Sequence, residues 1–271
     1  MNATGASVAS DTNVTRERKS QAANRPWWQA SAATATDLLF PPTCALCHDE
    51  CESRLAGPLF CPACDAAVAI SSRPSCPRCA LACSDSDVAQ GNCRDCRGRK
   101  LLFEAARTIA PYCGALRQAV LKSKSASFEP LAIALGQRLA ESITERPFGE
   151  RPDCVVPVPM HWLKRLWRGT NPAATIARAL AERLKLPIAS NFLICRRLLR
   201  RQAILSPAQR RQNVRGAFRA SRWPNLAGKR ILLVDDVMTT GATAHEASRA
   251  LLAVGVAAVY VATVSRSDPH F

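Results

Sequence analysis

Long apolar runs are missing from this 271-residue chain. The longest, VAAVYVATV from Val256, is far too short to cross a bilayer, which excludes membrane insertion. The first 36 residues also lack the apolar centre of a secretory leader. They are rich in Ala, Ser, Thr, Asn and Gln and read as a disordered leader, with Trp27 and Trp28 the exception. A cytoplasmic protein is expected. Acidic residues are scarce too: 21 Asp and Glu against 37 Lys and Arg leave a net charge of +16. The deficit is local. Arg151–Arg222 holds 16 basic residues and two acids, Asp153 and Glu182. A field of that sign attracts phosphate, as nucleic acid or as a polyphosphate substrate; the plain alternative is a solvated basic surface. An apolar content of 48% excludes disorder over the whole length.

Cysteine is what the chain does not lack. It has 13, ten of them within residues 37–104. A reducing compartment argues against disulfides and for metal. Cys44, Cys47, Cys51, Cys61 and Cys64 recur 32 positions on as Cys76, Cys79, Cys83, Cys93 and Cys96. Each unit reads C-x2-C-x3-C-x9-C-x2-C, the mark of a duplicated module. Two residues between cysteines let both thiolates of a tight turn reach one ion, and two such knuckles complete a tetrahedron. Two structural zinc sites are expected: Cys44, Cys47, Cys61 and Cys64 in the first unit, Cys76, Cys79, Cys93 and Cys96 in the second. Cys51 and Cys83 are left over, and His48 is set aside as a bystander. A closed four-thiolate site folds a small module and has no open position for catalysis.

From about Glu104 strands and helices alternate. Strands are expected at Thr108–Tyr112, Asp153–Val158, Phe192–Cys195, Ile231–Val234 and Val256–Val264. Helices are expected at Ala115–Ser123, Pro130–Ile143, Pro172–Leu186 with Asn171 as cap, and Ala242–Val254. The alternation predicts an α/β fold with a mostly parallel sheet. Cys113, Cys154 and Cys195 are expected to be buried small residues. His245 is taken as surface. Trp162, Trp167 and Trp223 lie among basic residues, and a core or loop-anchoring role is favoured over stacking on nucleic acid.

The segment Ile231–Thr243, ILLVDDVMTTGAT, carries the chemistry. Its apolar run is a central strand, and Asp235 and Asp236 stand at the end where open α/β sheets bind ligands. A short hydroxylic turn follows, and a helix begins near Ala242. The turn's amides and the helix's positive end form a phosphate cradle, with hydroxyls from Thr239, Thr240 and Thr243 and close approach at Gly241. Two adjacent carboxylates repel phosphate, so they suit ribose hydroxyls, directly or through Mg²⁺. The candidate site thus comprises Asp235, Asp236, Val237, Met238, Thr239, Thr240, Gly241, Ala242 and Thr243.

This segment resembles the 5-phosphoribosyl 1-diphosphate (PRPP) signature of type I phosphoribosyltransferases. The whole of Asp37–Arg266 looks like the ComF family, linked to bacterial competence and DNA uptake. The cysteine knuckles, VVPVPMHWLKRLWRGTNPA at Val155–Ala173, QAILSPAQRRQNVRGAF at Gln202–Phe218 and the phosphate loop follow in the order that family has. The resemblance implies a type I phosphoribosyltransferase-like domain over 105–271 behind a double zinc ribbon over 37–104. It implies that Asp235 and Asp236 hold the ribose hydroxyls and are the catalytic candidates. It assigns Thr239–Thr243 to the 5-phosphate and Pro157, Val158, Pro159 and Met160 to the pyrophosphate loop. Arg165, Arg168 and Asn171 fit its R-x-x-R-G-x-N pattern. Gln202, Arg210 and Asn213 fit its Q-x-x-L-S…R-x-x-N pattern, a mobile loop closing over the site. Lys122 in LKSK is a further anion contact. Before Gln202 this chain departs from the pattern, reading LLRRQ where a Thr with small or proline residues is usual.

No segment reads as a hood for a nucleobase. Three functions therefore stand side by side: a phosphoribosyltransferase of unnamed acceptor using PRPP and Mg²⁺; an accessory factor binding single-stranded DNA beside the competence machinery; and a zinc-ribbon adaptor with the α/β domain as scaffold.

Overall fold

A computed structural model describes residues 41–51, 60–91, 93–200, 205–221 and 225–268. The expectations for 1–36, Gln202 and Trp223 lie outside them. Helices α1 (Pro62–Ala67) and α2 (Asp85–Ala89) belong to the cysteine-rich region. Then come β1 (Ala105–Pro111), α3 (Gly114–Lys122), a 3₁₀ turn and α4 (Glu129–Glu145). They are followed by β2 (Cys154–Pro157), α5 (Trp162–Arg168), α6 (Pro172–Leu184), β3 (Leu193–Cys195) and α7 (Pro207–Val214). The chain ends with β4 (Phe218–Ala220), β5 (Arg230–Met238), α8 (Ala242–Leu252) and β6 (Ala258–Arg266).

Four strands form one parallel sheet in the order β1-β6-β5-β2, and β3 pairs antiparallel with β4. Alternation along β5 divides the core. Ile231 and Leu233 face one side with Val259, Val261, α8 and the β3–β4 pair. Leu232 and Val234 face the other with Tyr260, Ala262, α3, α4 and α6. Both faces are apolar because parallel strands are covered twice. Helices α4 and α6 meet at Gly136, where a Cβ would stand 2.5 Å from the Ile176 carbonyl oxygen.

The expected fold class holds, with shifted ends. The central strand continues to Met238, so Asp235 and Asp236 lie within it rather than after Val234. β6 keeps pairing with it as far as Arg266, while β2 stops at Pro157 opposite Val234. Pro157 and Pro159 offer no amide to extend that ladder. The acidic pair therefore projects past β2 with one side of its strand open. Cys154 and Cys195 are buried as expected, but Cys113 is exposed. It is the N-cap of α3, where the chain leaves the end of the sheet.

The 32-residue repeat is copied in the backbone. Cys44 N–H donates to Asp49 O and Cys76 N–H to Leu81 O. Cys51 N–H donates to Pro42 O and Cys83 N–H to Pro74 O. His48 and Ala80, 32 apart, share the left-handed backbone, φ 70° and 57°. The two copies straddle the sheet: Cys44, Leu46, Phe60 and Val68 join the core on the α4 side, and Cys76, Cys79, Leu81, Cys93 and Cys96 join the core on the α8 side. The chain between them follows the outer side of β1. Ser71 N–H donates to Ile109 O, and Ala106 N–H to Pro77 O.

Candidate functional site

In each unit the four predicted ligand sulfurs lie within 4.8 Å of one another: Cys44, Cys47, Cys61 and Cys64, then Cys76, Cys79, Cys93 and Cys96. Four soft thiolates at that spacing fit a tetrahedral zinc ion. Cys61 also caps α1, its Sγ accepting from Cys64 N–H at 3.5 Å. In the second unit, hydrogen bonds from Cys79 and Cys96 pull the Cys76 thiol well below the ordinary range. Cys51 and Cys83 stay outside both clusters. Burial pushes the Cys83 thiol up to about 11.

Of the nine residues of the candidate ribose–phosphate site, seven line one crevice, and Asp236 and Thr240 do not. Asp235, Asp236, Val237 and Met238 finish β5, Thr239–Gly241 turn, and Ala242 and Thr243 begin α8. Gly241 is the helix N-cap at φ 72°, a conformation that suits glycine, and supplies no side-chain cap. Ala242 N–H turns to Thr240 Oγ1 at 3.4 Å. The crevice there is lined by Val158, Asp235, Thr239, Gly241, Thr243 and Thr263 among others. It is narrow, with about 310 Å³ of empty space.

The two carboxylates are not equivalent. Asp235 is pushed well above the carboxylate range, first by burial and then by the charge of Asp236. Asp236 is buried as well, but Lys124 outweighs that and holds its carboxyl below the ordinary value. Lys124 Nζ stands 3.0 Å from Asp236 Oδ2, with the two side chains 31% and 22% exposed. The Asp235 and Asp236 carboxylates accept from the next amide along, Asp236 N–H at 2.9 Å and Val237 N–H at 2.8 Å.

Lys124 corrects the expectation for Lys122. Lys122 Nζ donates to Leu46 O at 2.9 Å and bolts the first zinc unit to α3, so the lysine at the acidic pair is two residues on. Half a helical turn separates the two, and LKSK does not say which faces the sheet end.

Of the pyrophosphate-loop candidates, Pro157 ends β2, and Val158 and Pro159 follow it. Val158 N–H donates to Val234 O at 2.8 Å, which sets this segment beside β5. Asn171 is the N-cap of α6 without capping it through its side chain. Its Nδ2 donates instead to Val158 O at 3.2 Å, tying the segment to α6. Arg165 and Arg168 lie on α5 and do not line the crevice. Arg210 and Asn213 lie on α7, a helix closed by a Ser206–Gln209 capping box where a loop was expected. Asn213 exchanges two bonds with the backbone of Arg200, both 3.1 Å. Neither residue lines the crevice.

His245 is half-buried, not a surface residue, and lines a cavity of about 600 Å³ with Arg99, Lys100, Arg211, Arg215 and Glu246. Trp162 and Trp167, expected in a core or as anchors, are 65% and 78% exposed, with Leu166 at 73%. The short α5 packs too little of its surface to bury three large side chains.

Residues that sequence reasoning missed lie behind the turn. Arg266, 2% exposed, ends β6 opposite Met238. Its guanidinium donates to the carbonyls of Cys79 at 3.0 Å and Met238 at 3.3 Å, to Thr239 O, and to Asp95 Oδ2 at 2.9 Å. Arg99 donates to the same Asp95 oxygen at 2.9 Å and to Thr240 O. A basic residue closing an apolar strand was the available signal.

The double zinc ribbon domain family matches residues 35–97, and the phosphoribosyl transferase domain family matches residues 128–268, just over half of the chain. The DNA utilization protein YhgH of Escherichia coli K12 is 30% identical over 71% of this chain and 84% of its own. Competence protein F of Haemophilus influenzae is 33% identical over 43% of this chain and 51% of its own. The chain belongs to the ComF family. It joins a double zinc ribbon to a phosphoribosyltransferase-like domain, and its relatives are named for competence and DNA utilization. A solved glutamine PRPP amidotransferase from B. subtilis overlaps 59% of this ComF-family chain and 31% of its own, at 24% identity and a TM-score of 0.37. The chain thus spans about a third of that enzyme. Among the described residues no helix is long and apolar enough to cross a membrane.

Proposed function

We propose that this ComF-family protein binds PRPP with Mg²⁺ at Asp235–Thr243 and transfers its phosphoribosyl group to an acceptor. One observation carries the reading: the acidic pair projects past β2 at the carboxyl end of a central parallel strand, and the turn beyond it opens a helix whose N-cap is a glycine. Oxygen donors of this kind, two carboxylates and threonine hydroxyls, fit a hard cation and a ribose diol. In the transfer, ribose C1 loses its bond to diphosphate and gains one to the acceptor nucleophile. The reacting ribose is cationic, so an anion below it and cations at the leaving group lower the barrier. Asp236, held below the ordinary carboxylate range by Lys124, is the anion nearest that lysine, and Asp235, raised by burial and by Asp236, would be the partner for a bound cation or the ribose diol. The amides of Thr239–Thr243 hold the 5-phosphate. Val158 and Pro159, held by Asn171, face the diphosphate.

Calorimetric titration with PRPP and Mg²⁺ tests this. The wild type should bind, and Asp235→Ala with Asp236→Ala should lose at least 100-fold in affinity; unchanged affinity in the double variant sinks the site. Diphosphate release across a panel of nucleobases and amines then separates transfer from binding alone.

A second reading is favoured by the exposed Trp162, Leu166 and Trp167 beside Arg165 and Arg168 on α5. Rings interleaved with guanidinium groups suit stacking on single-stranded DNA, each base worth about 1–3 kcal/mol. In that reading PRPP regulates and the strand is the partner. Trp162→Ala with Trp167→Ala should then weaken single-strand binding at least 10-fold while leaving PRPP affinity intact, and a binding constant flat in salt counts against it.

A further inference from the structure

The second zinc unit and the phosphate turn share a set of hydrogen bonds that neither needs for itself. Asp95 sits inside the knuckle Cys93–Cys96, and one of its oxygens, Oδ2, accepts from both Arg99 and Arg266, each at 2.9 Å. Arg266 also holds the carbonyl of Cys79, so one buried side chain reaches both knuckles of this unit. The far ends of the two guanidinium groups hold three successive carbonyls of the turn: Met238 and Thr239 from Arg266, Thr240 from Arg99. A peptide unit is planar and trans, so fixing its C=O fixes the N–H of the next residue pointing the other way. Pinning these three carbonyls therefore aims the amides of Thr239, Thr240 and Gly241. Among the described residues the first zinc unit has no link to the carbonyls of the turn. Its polar ties to the sheet domain run from Lys122 to Leu46 O and from Arg138 to Asp65.

We infer that the second zinc unit sets the geometry of the phosphate turn, with Asp95, Arg99 and Arg266 as positioning residues. Metal at Cys76, Cys79, Cys93 and Cys96 and a phosphorylated ribose at Thr239–Thr243 then bind cooperatively, while metal at the first unit is indifferent to the ligand. This rests on the phosphoribosyl reading above. Coupling between two sites is reciprocal: whatever factor zinc adds to ligand affinity, ligand adds to zinc affinity. Asp95 is the joint, because its carboxylate balances two guanidinium groups in a site that is 12% exposed on its own side and 2% on that of Arg266.

The experiment uses the full chain loaded with two zinc ions and a chromogenic zinc chelator, with and without saturating PRPP and Mg²⁺. PRPP should slow release of one ion by about 5-fold or more, the lower end of ordinary coupling, and leave the other unchanged. Cys44→Ser should retain the slowed ion. Asp95→Ala should lose the slowing and bind PRPP about 10-fold more weakly, with Asp95→Glu restoring part of both. Arg138→Ala should change neither. A merely structural role for Asp95 leaves the zinc linkage in place. Equal release with PRPP demonstrably bound overturns the coupling, and the wild-type measurement needs no variant to fold. No PRPP binding by the wild type in calorimetry overturns the phosphoribosyl reading and the coupling with it.

Discussion

Cys47 of the first zinc unit is exposed, and its counterpart 32 residues on, Cys79, is 3% exposed. The spacing of the two units is identical, and so are the backbone hydrogen bonds of their first knuckles. What differs is the surface each meets. The second unit contributes all four ligands to a core that also holds Val156, Ile231 and Leu233. The first contributes Cys44 fully, and Cys61 and Cys64 only at the margin. Identical local chemistry thus serves two purposes. One copy is part of the sheet domain's interior and touches the ligand turn. The other is a cover for α3 and α4.

The comparison can be broken most severely at the ligands. A structural zinc is worth on the order of 10 kcal/mol of folding free energy, comparable with the whole stability of a domain. Cys76→Ser should abolish the cooperative thermal transition of the chain, whereas Cys44→Ser should keep one, with one zinc per chain by metal analysis. Equal damage from both would erase the distinction. The struts come next. Arg266→Ala leaves Asp95 beside a single guanidinium partner and removes the bonds to the Cys79 and Thr239 carbonyls; about 3–5 kcal/mol should be lost in urea unfolding. Gly136→Ala, at the α4–α6 crossing on the first unit's side, forces a Cβ against backbone and should lose about 1–3 kcal/mol without altering PRPP affinity. Arg138→Ala removes an ion pair whose Asp65 side chain is 39% exposed and should lose at most about 1 kcal/mol.

The smallest effect contrasts the two ends of β5. At its start Asp153 is held to about 2, from an ordinary 3.8, by bonds from the Arg230 side chain and backbone. A carboxyl depressed on folding adds stability above its unfolded value and loses it as pH falls toward the folded one. The wild type should therefore lose a modest contribution between about pH 4 and 2, and Asp153→Asn should lack that part of the slope in acid unfolding.

The sheet was legible because its strands are apolar on both faces and its helices carry regular apolar spacing. The zinc ligands were legible because a repeat in register has few other causes. The turn that follows β5 was legible as a contiguous word. What escaped depended on contacts far apart in sequence. Arg266 and Asp95 are 171 positions apart; Arg266 stands in no motif, and Asp95 fills one of the two unspecified places of its knuckle. Lys122 and Lys124 differ only in the side of the chain they leave from. The extent of β5 past Val234 was set by the length of its neighbour β6, which the acidic residues themselves conceal. The exposure of Trp162 and Trp167 followed from a helix of seven residues, too short to enclose them.

The segment joining the two zinc units has an effect that neither unit alone would give. Lying along β1 through Ser71, and continued there by Pro77 of the second unit, it occupies hydrogen-bonding positions that a second molecule's strand would otherwise seek. Cutting the chain at Glu104 to obtain the phosphoribosyltransferase-like domain by itself would bare that margin and strip Arg266 of its counterion in one stroke. Such a fragment should self-associate, and the duplicated ribbon is in this sense the sheet's guard against its own copies.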